Sequence, residues 1–439
     1  MKTLKFGGTS VGKPERMQHI ARLITQDSDK KIIVLSALSG TTNALIEIGQ
    51  ELFEKDISAA TMLIDTLYGH YQSFIDALYS ENKNKKGAID IITTHFNFMT
   101  GLLEAFFNKR LNNELLAQGE LMSTKLFDLY LEENGVKSKL INALDFMYID
   151  EDKEPDIQFI RDKLSSILNQ NGDIDLFVTQ GYICRNHEGE IDNLQRGGSD
   201  YTATLIGVAI KSPEVQIWTD IDGMHNNDPR IVDKTYPISD LSFNEATELA
   251  YFGAKILHPS SIWPAQKYNT PVRLKNTMNP EASGTYICDQ EDEKKIKAVA
   301  AKDGITAIKI KSSRMLMAYG FLRKVFQIFE NFKTPIDMIS TSEVAVSLTI
   351  DDSTHLQSII EELNHFGDVM VDANQTIICI VWNKIVEKEE ILQKVFRAME
   401  NIPVRMISYG GSRYNISMLV DTNYKDKALT ELNKHIFSL

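Results

Sequence analysis

The chain reads as an α/β protein: an open, mostly parallel sheet with helices on both faces, followed by two small ferredoxin-like βαββαβ modules. Three observations predict this. Apolar runs at Leu4–Phe6 and Lys31–Leu38 flank a helical pattern, and strand–helix–strand implies a parallel pair with a right-handed crossover. A glycine pair follows an extended stretch and opens a helix twice, at Gly7-Gly8 and Gly197-Gly198. Beyond the charged run Asp289–Lys295, a β-α-β-β-α order occurs twice in succession.

The first element ends in Lys5-Phe6-Gly7-Gly8-Thr9-Ser10, and apolar periodicity resumes at Pro14 with Met17, Ile20, Ala21 and Ile24. Glycines without Cβ let backbone N–H groups approach an anion. A helix N-terminus behind them adds unpaired N–H groups and the positive end of its dipole. Gly7 through Gly12-Lys13 also fits G-x-x-x-x-G-K, but the next residue is Pro14, which has no hydroxyl for Mg²⁺, so this is not a P-loop. The loop after Leu35 runs through Ser36 and Ser39-Gly40-Thr41, at the carboxyl end of its strand, where open α/β sheets bind ligands.

From Asn43 to Gly135 the pattern is mostly helical, with a solvated turn expected at Lys83–Gly87 and a new helix opening at Gln118-Gly119-Glu120. On that reading alone Glu120 is a first-turn charge complementing the helix dipole. Strands follow at Val136–Ile141 and Ile174–Val178, then a hairpin turn at Asn186–Glu190. The second glycine pair, in Arg196-Gly197-Gly198-Ser199-Asp200-Tyr201-Thr202, has Ser199 or Asp200 placed to cap its helix. Two glycine–helix anion sites in one domain are far more specific than one. Strand Val215–Trp218 leads into a loop dense in Asp, Asn and Gly (219–230). Ser242 starts a capped helix through Ile256 that carries Lys255, and Pro271–Lys275 is a further strand. After the charged run, one repeat spans strand Ile305–Lys311 to strand Val369–Val371 and the second spans Thr376 to Ile436. The expected domains are 1–290, a linker 291–303, and modules 304–374 and 375–439, with strand exchange between the modules allowed.

The 439 residues imply two or three domains, and 43% hydrophobic content supports substantial cores. A formal net charge of −13 argues against a general binder of nucleic acid or anionic membrane. The three cysteines (Cys184, Cys288, Cys379) are far apart and in no metal-ligand spacing, as in a reducing compartment. No basic-then-apolar leader and no membrane-length run is present, so a cytoplasmic, soluble protein is expected.

Taken together, Lys5-Phe6-Gly7-Gly8-Thr9-Ser10, Arg196–Ala203, Trp218-Thr219-Asp220, Asp228-Pro229-Arg230 and Phe252–Pro259 resemble aspartokinase, with the family's order kept along nearly the whole chain. The resemblance implies the amino-acid-kinase fold, paired ACT domains, and transfer of the γ-phosphoryl of ATP, with Mg²⁺, to the β-carboxylate of L-aspartate. It assigns Lys5, Gly7, Gly8, Asp200 and Lys255 to catalysis. Ser36, Thr41, Glu120, Tyr182, Arg196 and Ser199 become aspartate contacts, which overturns the surface reading of Glu120. Arg196 would grip the α-carboxylate bidentately and Glu120 the α-ammonium. Phe6, Thr219, Asp220, His225, Arg230 and Ile256 join Lys5, Gly7, Gly8 and Lys255 on the nucleotide. His225 stands where the family commonly has tyrosine.

The first repeat also resembles the lysine-sensitive class at Met315, Phe321, Leu322, Ile336, Asp337, Ser342 and Glu343, whereas Ala318 and Pro335 replace serines. Asp337 and Glu343 are the partners a bound lysine ammonium would need. Self-association through the ACT domains is implied, and no metal site belonging to the chain itself. A glutamate or acetylglutamate kinase, and a catalytically silent ACT sensor, are the competing readings.

Overall fold

The computed structural model describes residues 1–195, 197–253, 257–290, 296–312, 319–383 and 389–439. Two compact units form: Met1–Met224 with Ile256–Asp289, and His225–Lys255 with Gln290–Leu439. The division differs from the contiguous 1–290 expected from sequence. In the second unit Asn226 and Asn227 both donate to Asn433 Oδ1 at 3.3 Å, and Asn433 donates to the Lys234 carbonyl at 3.0 Å. That buried amide network ties the 225–255 segment to the C-terminal region.

The chain begins with β1 (Lys2–Phe6), a one-turn helix α1 (Gly8–Val11), α2 (Pro14–Ile24) and β2 (Lys31–Leu35). Four helices follow: α3 (Thr41–Glu54), α4 (Ile57–Leu78), α5 (Asn82–Gly101) and α6 (Lys109–Glu133). Next come β3 (Ser138–Leu140), α7 (Ile157–Gln170), β4 (Leu176–Gln180), the hairpin β5 (Ile183–Arg185) and β6 (Ile191–Asn193), α8 (Gly198–Ala209) and β7 (Val215–Thr219). The second unit's early segment holds β8 (Asp240–Ser242) and α9 (Phe243–Tyr251). The first unit resumes with α10 (Pro259–Lys267), β9 (Val272–Asn276) and β10 (Thr285–Cys288).

Within the first unit the strands lie in the order β3-β4-β2-β1-β7-β9-β10, all parallel to their neighbours except β10. Every residue of β2 and β4 is buried, as expected of strands in a parallel sheet covered on both faces. Register aligns Phe6 with Leu35 and with Trp218, Leu35 with Gln180, and Thr219 with Asn276. The carboxyl ends of five strands therefore share one edge, and the loops leaving them meet there.

Several local expectations are corrected. Lys83–Gly87 lies inside α5, its charges solvated on a helix. Gln118-Gly119-Glu120 is mid-helix, because Asn108 Oδ1 caps α6 ten residues earlier by accepting from the Leu111 amide at 3.1 Å. Neither Ser199 nor Asp200 caps α8; Gly197 does so without a side chain, at φ 73°. The helix after Ser242 does open with a Ser242–Glu245 capping box but ends at Tyr251, and residues 254–256 lie outside the described residues.

The second unit continues with β11 (Ala298–Lys311), α11 (Phe321–Asn331), β12 (Ile339–Thr341), β13 (Ala345–Ile350), α12 (Leu356–Leu363), β14 (Asp368–Val381), α13 (Glu389–Ala398), β15 (Val404–Tyr409), β16 (Asn415–Asp421) and α14 (Lys425–Leu432). Its six-stranded antiparallel sheet runs β12-β13-β11-β14-β16-β15. The long strands β11 and β14 pair along their whole length, so both βαββαβ modules share one sheet. Residues 298–302, expected as linker, pair with 377–381 and complete the second module, and Val299 joins Ile378, Ile380 and Trp382 in its core. Phe321, Val325, Leu348 and Leu363 build the separate core of the first module. Cys184 and Cys379 are buried and none of the three cysteines is in a disulfide. Among the described residues no helix is long and apolar enough to cross a membrane.

Candidate active site

Alternation along β1 turns Lys5 toward α8, where its Nζ meets Asp200 Oδ1 at 2.6 Å with both side chains 12% exposed. Asp200 sits in the first turn of α8, so the carboxylate complements the helix dipole while it fixes the ammonium. Gly7 borders this pair: a Cβ there would stand 3.0 Å from Lys5 Nζ. Gly7 also starts the single turn α1, which leaves the amides at its start without intrahelical acceptors. A Cβ on Gly8 would stand 3.3 Å from the Ala37 carbonyl, and one on Gly12 would meet Ser39 Cβ at 2.4 Å. Small residues thus let the loops after β1 and β2 touch.

The Ala37 amide donates to Glu120 Oε1 at 3.1 Å. Glu120 is buried in the middle of α6, and its Oε2 has no hydrogen-bond partner among the described residues. Burial pushes this carboxyl up to about 8, and the Ala37 amide draws it only partly back. Gly119 makes the approach possible, since a Cβ there would meet Ala37 Cβ at 2.8 Å and Thr41 Cγ2 at 3.2 Å. Ser123, one turn on, donates to the Ser36 carbonyl at 2.9 Å and pins the same loop.

Thr41 is buried, its hydroxyl 3.1 Å from the Tyr71 hydroxyl. Burial raises the Tyr71 phenol well above its ordinary range; the Thr41 hydrogen bond opposes this and the neighbouring Glu120 adds to it. Tyr182 takes φ 68° and its amide donates to Thr202 Oγ1 at 2.9 Å. Its phenol is also raised, first by burial and then by Glu120 and Asp192. Gly181 and Gly198 permit close packing, because a Cβ on Gly181 would meet Ser199 Cβ at 2.5 Å and one on Gly198 would meet Tyr182 Cδ2 at 2.6 Å.

A ring results: Lys5 pairs with Asp200 beside Ser199, Ser199 packs on Gly181 next to Tyr182, the Tyr182 phenol feels the charge of Glu120, and Ala37 and Gly8 lead back to Gly7. A fixed ammonium stands on one side and, on the other, the Glu120 carboxyl group with one oxygen unsatisfied among the described residues. Of the residues expected in the site, Lys5, Gly7, Gly8, Ser36, Thr41, Glu120, Tyr182, Ser199 and Asp200 gather here. Thr219 and Asp220 leave the same sheet edge, Thr219 donating to Asp220 at 3.2 Å. Phe6 is instead core, stacked on Trp218 with ring centroids 5.6 Å apart. His225 and Arg230 fall in the second unit, His225 Nδ1 lying 3.0 Å from Thr235 Oγ1 and Arg230 gripping Asp228 with two nitrogens at 2.9 and 2.7 Å. Arg196, Lys255, Ile256, Met315 and Ala318 lie outside the described residues.

Sequence reading missed Ala37, Tyr71, Gly119, Ser123 and Thr202. Only Gly119 left a signal there, as a glycine inside a helical pattern. In the expected effector set, Phe321 is packed in the first module's core, while Leu322, Ser342 and Glu343 are exposed and Ile336 is half-buried. Asp337, read from sequence as open to a ligand, already carries Lys302 Nζ at 2.7 Å.

Residues 2–276 match the Amino acid kinase family and residues 378–436 match an ACT domain. Fold and site thus define an amino-acid-kinase-type enzyme with a C-terminal ACT region. Aspartokinase 3, chloroplastic, of Arabidopsis thaliana is 35% identical over 99% of this chain and 81% of the relative. Aspartokinase III of E. coli, crystallised with aspartate and ADP, superposes with a TM-score of 0.85 at 30% identity, covering 100% of both chains. The same enzyme with lysine and aspartate gives 0.84 at 31% identity, covering 100% of this chain and 99% of that one. The chain belongs to the aspartokinase family.

Proposed function

We propose that the chain transfers the γ-phosphoryl group of MgATP to the β-carboxylate of L-aspartate, forming 4-phospho-L-aspartate and ADP, the entry step to lysine, threonine and methionine biosynthesis. The ring carries this reading: its fixed cation suits a phosphoryl group, and its buried acid, with one oxygen unpaired among the described residues, suits an ammonium. Complexes of the E. coli relative with aspartate and ADP support it. An acetylglutamate kinase has no substrate ammonium to offer Glu120, so that alternative leaves the buried oxygen unanswered.

The β-carboxylate is ionised at neutral pH and needs no general base. One of its oxygens bonds to the γ-phosphorus while the bond from phosphorus to the bridging oxygen breaks, and the electron pair leaves with ADP. Catalysis is then positioning and charge stabilisation. Lys5 and the Gly7-Gly8 amides face the equatorial oxygens, and Asp200 holds Lys5 without taking a proton. Glu120 binds the α-ammonium and Arg196 the α-carboxylate, with Thr41, Tyr182 and Ser199 enclosing the substrate. Lys255, Thr219, Asp220 and Arg230 serve the nucleotide. L-Lysine feedback at the ACT modules, self-association through them and a cytoplasmic location belong to the same proposal.

An ADP-release assay with aspartate, glutamate and acetylglutamate, with lysine and threonine each titrated in, tests it. Aspartate-dependent turnover that lysine inhibits is the expected result. Absence of turnover with aspartate overturns the reading.

A further inference from the structure

Asp337 sits at the centre of a charged node in the second unit. Its side chain is 2% exposed, Oδ1 accepts from Lys302 Nζ at 2.7 Å and from the Tyr251 hydroxyl at 3.1 Å, and Oδ2 has no partner among the described residues. Lys302 also reaches Asp351 Oδ2 at 2.9 Å and lies over the Tyr251 ring, 4.5 Å from its centroid. Among the described residues one ammonium therefore serves two carboxylates, which leaves the node one negative charge in excess together with an unused buried acceptor. Such a place favours a second cation.

The node is also mechanically placed. Tyr251 is the last residue of α9, and Gly253, at φ 122°, lies on β11 so closely that a Cβ would meet the Ala301 carbonyl oxygen at 2.1 Å. Lys302 is the next residue of that strand. At its other end α9 is held by the second module: Glu248 accepts from Ser412 Oγ at 2.6 Å and from Asn415 Nδ2, and Asn244 donates to the Tyr414 hydroxyl at 2.9 Å. The helix thus bridges both modules, and two residues past Gly253 the sequence reaches Lys255.

We infer that Lys302 is a built-in occupant of an ammonium site: a small molecule bearing a primary ammonium that reaches Asp337 displaces it and frees Tyr251. Release of Tyr251 loosens the end of α9 from β11 immediately before Lys255, which links ligand binding in the first module to the nucleotide-side segment. This rests on the reading of the chain as an ACT-regulated kinase. It adds what the ligand must compete with and which residue relays the change.

The test uses the full chain with L-lysine as probe, read by calorimetry and by aspartate-dependent activity relative to each variant's own uninhibited rate. Lys302→Met removes the competitor and keeps the stem, so lysine affinity is expected to rise at least tenfold. Asp351→Asn leaves Lys302 committed to Asp337 alone, so affinity is expected to fall severalfold; this variant decides the matter if Lys302→Met does not fold. Tyr251→Phe is expected to bind lysine while losing most of the inhibition. Unchanged or weaker binding in Lys302→Met, unchanged binding in Asp351→Asn, or no binding to any form overturns the displacement. A chain that binds lysine as described but turns over no aspartate sinks the kinase reading and leaves the displacement standing.

Discussion

Glu120 makes aspartate binding depend on pH in a way the structure sizes. Burial holds its carboxyl near 8, so at pH 7 the free site is mostly protonated. Binding the α-ammonium as an ion pair requires the carboxylate, and one unit of pKa costs about 1.4 kcal/mol. Between pH 6 and 8 the KM for aspartate should therefore fall about tenfold per unit, then level off above 8. The Glu120→Gln variant lacks the titrating group and should show a flat profile. Its KM should also be higher by about thirtyfold or more, since truncating one member of a buried charge pair typically costs about 2–5 kcal/mol. Steady-state kinetics across that range, at saturating MgATP, measures both. A wild-type KM independent of pH from 6 to 8, or the same slope in the variant, would refute the argument. Stability has the opposite dependence. The unfolded carboxyl ionises near 4.5 while the folded one keeps its proton, so stability is undiminished below 4.5 and is lost as pH rises toward 8. Holding the carboxyl near 8 in place of 4.5 corresponds to a loss on the order of 5 kcal/mol. Ligand-free Glu120→Gln should consequently melt higher than the parent at pH 8.5, and aspartate should narrow the gap.

Lys5→Ala should lower kcat by about 10²–10³ or more with a smaller change in aspartate KM, because the ammonium is assigned to charge on the transferred group; single-turnover kinetics separates the two. Gly119→Ala pushes a methyl against Ala37 and Thr41, and denaturant melts should show a loss of about 1–3 kcal/mol together with weakened aspartate binding. Arg405→Ala removes an exposed pair with Asp372 at 2.5 Å, and a loss above about 1 kcal/mol would contradict the small value of surface ion pairs.

Much of the site was legible because its chemistry is written in adjacent residues. A lysine before a glycine pair, and an arginine before a second pair followed by Ser199 and Asp200, announce anion handling without coordinates. The repeated β-α-β-β-α order was legible for the same reason, since helix and strand periods are local. Glu120 was legible only through the family resemblance: by helical pattern alone a lone acid looks like surface until Asn108 is seen to start that helix and Gly119 to press it against Ala37. The pairing of residues 298–302 was not legible because their partners, Ile377–Val381, lie far along the chain.

The order of residue types along the chain by itself determined the fold class, the two glycine-floored loops, the duplicated modules and the charges available for catalysis. Tertiary structure alone decided that Lys5 rests on Asp200, that Glu120 is buried against the Ala37 amide, and that Lys302 already occupies Asp337. Periodicity and turn chemistry act over a few residues, whereas desolvation and ion pairing depend on which distant groups packing brings within a few ångströms.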